Sequence, residues 1–133
     1  MGILANKAIV RAFTKAGNKG DLEATVKYTA IDCPLNGQPF GREGDRARTA
    51  AMIAAFPTGR TTLDEMIGHA DKVVVRWTFK GTQKGTLMGI PPTGKKITMV
   101  GISIYTFKDG MLVDIREQYD KYGFLQQLGV IPA

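Results

Sequence analysis

Cysteine and histidine are almost missing from this chain: Cys33 and His69 stand alone among 133 residues. A single thiol excludes an intrachain disulfide and gives no argument for an oxidising compartment. His69 has no second histidine or thiol at metal-ligand spacing, so no metal site is expected. It also lies far along the chain from Cys33, which disfavours a thiol–imidazole nucleophile and leaves Cys33 as a small core or pocket thiol. Long hydrophobic runs are missing too. No stretch approaches the ~20 apolar residues of a membrane span, and Met1 to Thr14 mixes charges at helical spacing, unlike a secretory signal. A cytoplasmic protein with no membrane partner is the expectation. Gly81, Gly85 and Gly89 lie in a β-rich region and do not lead into a helix, and no Gly-x-Ser-x-Gly elbow occurs. Rossmann, P-loop and serine-hydrolase readings therefore fall away.

What is present suits one globular domain spanning residues 1–133: 44% of the residues are hydrophobic and 23% charged. The net charge of +6 raises the question of nucleic acid. Its cations are scattered, with no run longer than two and no aromatics interleaved. That pattern reads as a solvated surface, and no nucleic-acid partner is expected.

Ile3, Ala5, Ala8, Ile9, Ala12 and Phe13 recur at three- and four-residue intervals, predicting a helix from about Gly2 to Lys15 that Gly17 and Gly20 end. Asp21 can cap a second short helix. Thr29 to Cys33 reads as a brief strand, Pro34 to Gly44 as a loop, and Asp45 to Phe56 as a third helix. The pattern then turns β: Thr61 to Ile67, Lys72 to Lys80, Lys96 to Phe107 and Met111 to Tyr119 are strands separated by turn residues. Lys108-Asp109-Gly110 is a tight hairpin signal. Lys121 to Leu128 closes as a helix. Helices followed by a long antiparallel meander predict an α+β fold with helices on one face of a sheet, a shape that can leave a ligand cavity.

The last strand carries the most chemistry. Alternation places Asp114, Arg116, Gln118 and Asp120 on one face and Val113, Ile115, Glu117 and Tyr119 on the other. Neither face is plainly apolar, so the first row is either a solvated edge or a polar patch in a pocket. In a pocket, a carboxylate balanced between burial and the neighbouring Arg116 guanidinium can serve as general acid or base.

The stretch from Val73 to Gly85, followed by Gly89-Ile90-Pro91-Pro92-Thr93-Gly94-Lys95, resembles the signature of the SnoaL-like polyketide cyclases of the nuclear-transport-factor-2-like superfamily. Gly101 to Tyr105, Phe107 to Gly110, Asp120 and Leu125-Gln126-Gln127-Leu128-Gly129 extend the likeness in the right order. The resemblance implies a cone-shaped curved antiparallel sheet with the N-terminal helices on its concave face, a cystatin-like α+β barrel. It further implies a homodimer, an interior pocket for a small hydrophobic carbonyl compound, and no metal or organic cofactor. By motif position Asp120 matches the aspartate that supports aldol ring closure in the cyclases, and Trp77 matches a pocket wall. Strand parity adds Phe79, Met88, Tyr105 and Gln118 to the substrate-binding set, while Asp32 faces the cavity mouth or caps a turn.

Two departures from the family pattern bear on chemistry. Gln83 stands where many members carry histidine; it donates a hydrogen bond but relays no proton at neutral pH. Arg116 stands where they carry tryptophan, which turns an apolar wall into a charged one. The reading that follows is a cofactor-independent lyase, isomerase or cyclase with Asp120, Arg116 and Gln83 as its polar machinery. Its rivals are a non-catalytic hydrophobic-ligand or accessory domain, and an epoxide hydrolase-like water activation in which Asp32 or Asp114 supplies a second carboxylate.

Overall fold

The computed structural model describes residues 2–132. Helices α1 (Ile3–Asn18), α2 (Leu22–Val26) and α3 (Gly41–Ala55) lead the chain. Four strands follow, β1 (Arg60–His69), β2 (Lys72–Thr82), β3 (Lys96–Lys108) and β4 (Met111–Tyr119), and helix α4 (Lys121–Leu128) comes after them. The strands form one antiparallel meander in the order β1-β2-β3-β4. The expected α+β architecture is therefore present, and the helices cover the concave side of a curved sheet. Among the described residues no helix is long and apolar enough to cross a membrane.

Register shifts between Leu63 and Glu65 and between Thr106 and Phe107 bend the outer strands, as bulges do by raising local twist. The β3–β4 hairpin turns on Asp109 and Gly110, both at positive φ (50° and 79°), the backbone a right-twisted two-residue hairpin requires. Along the strands, alternate residues face the helices. Val73, Val75, Phe107, Leu112 and Ile115 pack with Ile9 and Val10 of α1 in one apolar cluster. Ala55, Phe56, Leu87, Ile97, Phe124 and Leu128 make a second one beneath α4. These side chains fill the concave face.

Apart from one- or two-residue shifts at element ends, three parts of the chain differ from the sequence reading. Helix α1 continues through Gly17 to Asn18. Thr29 to Cys33 is not a strand: Thr29 makes a single bridge to Leu112, and the Cys33 amide donates to the Ala30 carbonyl, closing a turn. Helix α3 begins at Gly41, four residues earlier than Asp45. A tertiary contact explains this start. The Gly41 amide donates to the Cys33 carbonyl at 2.7 Å, and a Cβ at position 41 would run into the Ile31 carbonyl oxygen. Glycine is there for close backbone approach, and it signals a loop only in appearance.

Candidate active site

The hairpin register fixes which residues of β4 meet the helices. Ser103 pairs with Glu117 and Tyr105 with Ile115. Ile115 is buried, so Glu117, two residues on, faces the same concave side, while Asp114, Arg116 and Gln118 face the convex side. Around Glu117 a polar network has formed from four elements. The fully buried Ser103 hydroxyl donates to Glu117 Oε1 at 3.3 Å and accepts from Trp77 Nε1 at 3.0 Å. The Trp77 indole lies directly across Gly101 on the neighbouring strand. From α3, Arg48 Nη1 donates to Glu117 Oε2 at 2.6 Å, and its guanidinium sits 5.1 Å from the centre of the Phe40 ring, within cation–π range. One turn earlier on α3, the buried Asp45 accepts from the Thr29 hydroxyl at 2.6 Å and lies 4.0 Å from Arg48 Nη2.

The Glu117 side chain is 16% exposed and that of Arg48 39%, so the ion pair leads from solvent to the concave interior. Tyr105 stands beside it on β3, edge-on to Phe13 at 5.3 Å between ring centres. Burial pushes its phenol up to about 12 against a smaller opposing effect from Ser103, so Tyr105 acts at neutral pH only as a neutral donor or acceptor. Cys33 is fully buried, and burial foremost raises its thiol to about 11, which makes it inert as a nucleophile. A carboxylate, a guanidinium, a hydroxyl and an indole N–H thus converge at one place. That set can accept a proton and stabilise an oxyanion without further groups. Among the described residues, no three His, Cys, Asp or Glu side chains come together to hold a metal ion.

Of the residues singled out in the sequence, the structure brings only Trp77 and Tyr105 to this place. Asp120 is exposed rather than buried. Its carboxylate caps α4, accepting the Gly123 amide at 2.9 Å. Removing that cap by Asp120→Ala is expected to cost about 1 kcal/mol of stability, read as a lowered urea midpoint. Arg116 faces solvent and reaches Asp114 at 3.3 Å, so it does not neighbour a buried Asp120. Gln83 is fully buried but serves the loop that follows it. Its Nε2 donates to the Gly85 and Ile90 carbonyls, and its Oε1 accepts from the amide and hydroxyl of Thr93. Phe79 belongs to the second cluster, edge-on to Phe56. Met88 is 53% exposed in the same loop. Gln118 is exposed on the convex face and Asp32 in a turn. Asp32 and Asp114 therefore do not supply the second carboxylate of a water-activating site.

Glu117, Arg48, Ser103 and Asp45 were missed. Glu117 has no local signal of its own, since both faces of β4 carry charge and only the burial of Ile115 shows which one turns inward. Arg48 has none either, because its contact with Glu117 spans 69 residues.

The sequence profile of the SnoaL-like polyketide cyclases matches residues 7–128. Among curated proteins none matches the sequence. Among solved structures, TsrD from Streptomyces laurentii superposes with a TM-score of 0.90 at 26% identity, over 98% of this chain and 99% of that one. IdmH from Streptomyces antibioticus, described as a candidate polyketide cyclase, gives 0.81 at 28%, over 94% and 99%. AclR from Streptomyces galilaeus, described as a candidate hydroxylase, gives 0.89 at 22%, over 99% and 89%. At that identity AclR shows the shared fold alone.

Proposed function

The chain belongs to the SnoaL-like polyketide cyclase family, and we propose that it is a cofactor-independent acid/base enzyme whose working pair is Glu117 and Arg48. Family membership supports a cyclase- or isomerase-type role. The observation that carries the finer reading is Glu117 on the concave face, held at once by Ser103 and Arg48. In this reading Glu117 removes a proton from the carbon next to the carbonyl of a small apolar compound, breaking a C–H bond. The electron pair moves to the carbonyl oxygen, where Arg48 N–H groups hold the enolate, while the buried Ser103 hydroxyl keeps the Glu117 carboxyl in place. Attack of that carbon on a second carbonyl of the same molecule closes a ring, and the proton on Glu117 passes to the new alkoxide. Trp77, Tyr105 and Phe40 supply apolar surface for the substrate. Turnover of a panel of apolar and polycyclic carbonyl compounds by the wild type and Glu117→Gln tests this assignment.

One observation favours a second reading. Asp45 and Glu117 flank Arg48, and a carboxylate–guanidinium–carboxylate row can orient water for attack on an epoxide. Turnover of epoxides, with none of the carbonyl panel, would select it.

We propose a second copy of this chain as the partner of the convex face. Ile67, Val100, Ile102 and Ile104 lie exposed there, and Val74 of β2 links Ile67 on β1 to Ile104 on β3 by register, so the apolar side chains adjoin rather than stand singly. Sedimentation is expected to give a dimer for the wild type and a monomer for Ile102→Lys; a monomeric wild type would contradict the proposal.

A further inference from the structure

Helix α1 stacks Lys7, Arg11 and Lys15 at four-residue spacing, Lys19 follows at its C-cap, and the helix contains no Asp or Glu. Like charges four residues apart face each other about 6 Å apart along a helix and weaken it. The negative end of the helix dipole accounts for Lys15 and Lys19 but not for Lys7 and Arg11. Among the described residues, none of Arg11, Lys15, Lys19 and Arg60 lies within ion-pair distance of a carboxylate.

These cations surround a groove. It lies between α1 and the edge strand β1 and has a volume of about 480 Å³, with Arg11, Lys15 and Lys19 on one wall, Arg60 on the other, and Leu63 and Met66 also in its lining. A volume of that size is ordinary for small-molecule sites, which run from about 300 to 1,000 Å³. The walls are tied together. Asn18 donates to the Thr61 carbonyl at 2.9 Å and accepts from the Thr61 amide at 2.7 Å, so the spacing between helix and strand is set before any ligand arrives. The same two bonds satisfy the free edge of β1 at Thr61.

We infer that this groove is a binding site for a compact, multiply charged anion, a phosphate ester or polycarboxylate that carries a short apolar portion. Compactness follows from the next residues of β1. Asp64 and Glu65 also line the groove and end its positive track, so a long polyanion would run into carboxylates. Those two carboxylates are already engaged with Arg76, at 3.7 and 3.1 Å, and do not neutralise the groove's cations, three on α1 and Arg60 on β1. The apolar portion matches Leu63 and Met66, and Leu63 is the cross-strand neighbour of Trp77, which places the groove beside the Glu117 network without sharing its polar groups.

Calorimetric titration of the full chain at low salt tests the site, with pyrophosphate in one arm and citrate in the other to separate phosphate from carboxylate ligands. Saturable binding of one anion per chain is expected in at least one arm. Arg11→Gln/Lys15→Gln and Arg60→Gln should each raise Kd by about tenfold or more, the scale of a charge-assisted hydrogen bond. Lys84→Gln/Lys121→Gln, which removes equal charge from exposed positions elsewhere, should leave Kd unchanged. Unsaturable binding in both arms, or an equal loss in that control, would overturn the site, because the +6 net charge would then explain the attraction. Tighter binding of a 12-nucleotide single strand through the same residues would overturn the compact ligand. The titration reads binding alone, so it stands or falls apart from any turnover at Glu117.

Discussion

Replacing Glu117 by Gln is expected to lower turnover by about 100-fold or more, the scale of losing a general acid–base group, while the fold and the binding of substrate persist. The substitution keeps the size of the side chain and an oxygen for Arg48 and Ser103 to donate to. It removes the capacity to take a proton. Stability should change little, because Arg48 is 39% exposed and water can solvate the guanidinium that loses its counter-charge. Asp120→Asn provides the contrast. That carboxylate stands exposed at the mouth of β4 and holds the Gly123 amide, so its loss should alter stability slightly and turnover by only a few fold. The opposite ranking, with Asp120→Asn inactive and Glu117→Gln active, would return the chemistry to the residue that the family resemblance points to. Arg48→Gln should also lose turnover, through the oxyanion rather than the proton.

Gln83→Leu is expected to lower the melting temperature by about 10 °C, corresponding to roughly 2–4 kcal/mol. Leucine matches the volume of the buried amide but offers nothing to the Gly85 and Ile90 carbonyls or to the Thr93 amide and hydroxyl, all of which Gln83 serves. The loop carries Leu87 into the second apolar cluster, so loosening it should also loosen the packing around Phe124 and Leu128. Well below the new melting point, turnover should stay within a few fold of wild type. An unchanged melting temperature with turnover lost would instead make Gln83 part of the chemistry, as the resemblance implies.

The strands and their order were legible because period-two runs of β-branched residues carry their own signal and Asp109-Gly110 admits little but a hairpin. The start of α3 was not, since Gly41 and Gly44 read locally as loop and only the contact with Cys33 and Ile31 reveals the helix. The site was half legible. On β4 both faces carry charge, so alternation separates Arg116 and Gln118 from Ile115 and Glu117 without saying which group faces inward, while the bulge at Val113 breaks the period and Asp120 falls beyond the strand as the cap of α4. Ile115 decides it, at 2% exposure, and turns Arg116 and Gln118 outward together. Gln83 stands where the resemblance implies chemistry, and a Gly/Pro-rich loop full of carbonyls also needs internal donors, which this buried amide supplies. Arg48 depends on the tertiary approach of α3 to β4, which no local pattern encodes.

If Glu117 moves a proton at carbon, hydrogen–deuterium exchange reads that step without requiring the natural substrate. A ketone that binds the protein is incubated in D2O, and loss of the signal of its α-hydrogens is followed by NMR. Exchange above the buffer rate is expected with the wild type and with Asp120→Asn, falling to the buffer rate with Glu117→Gln. Equal exchange by Glu117→Gln and the wild type would contradict the account.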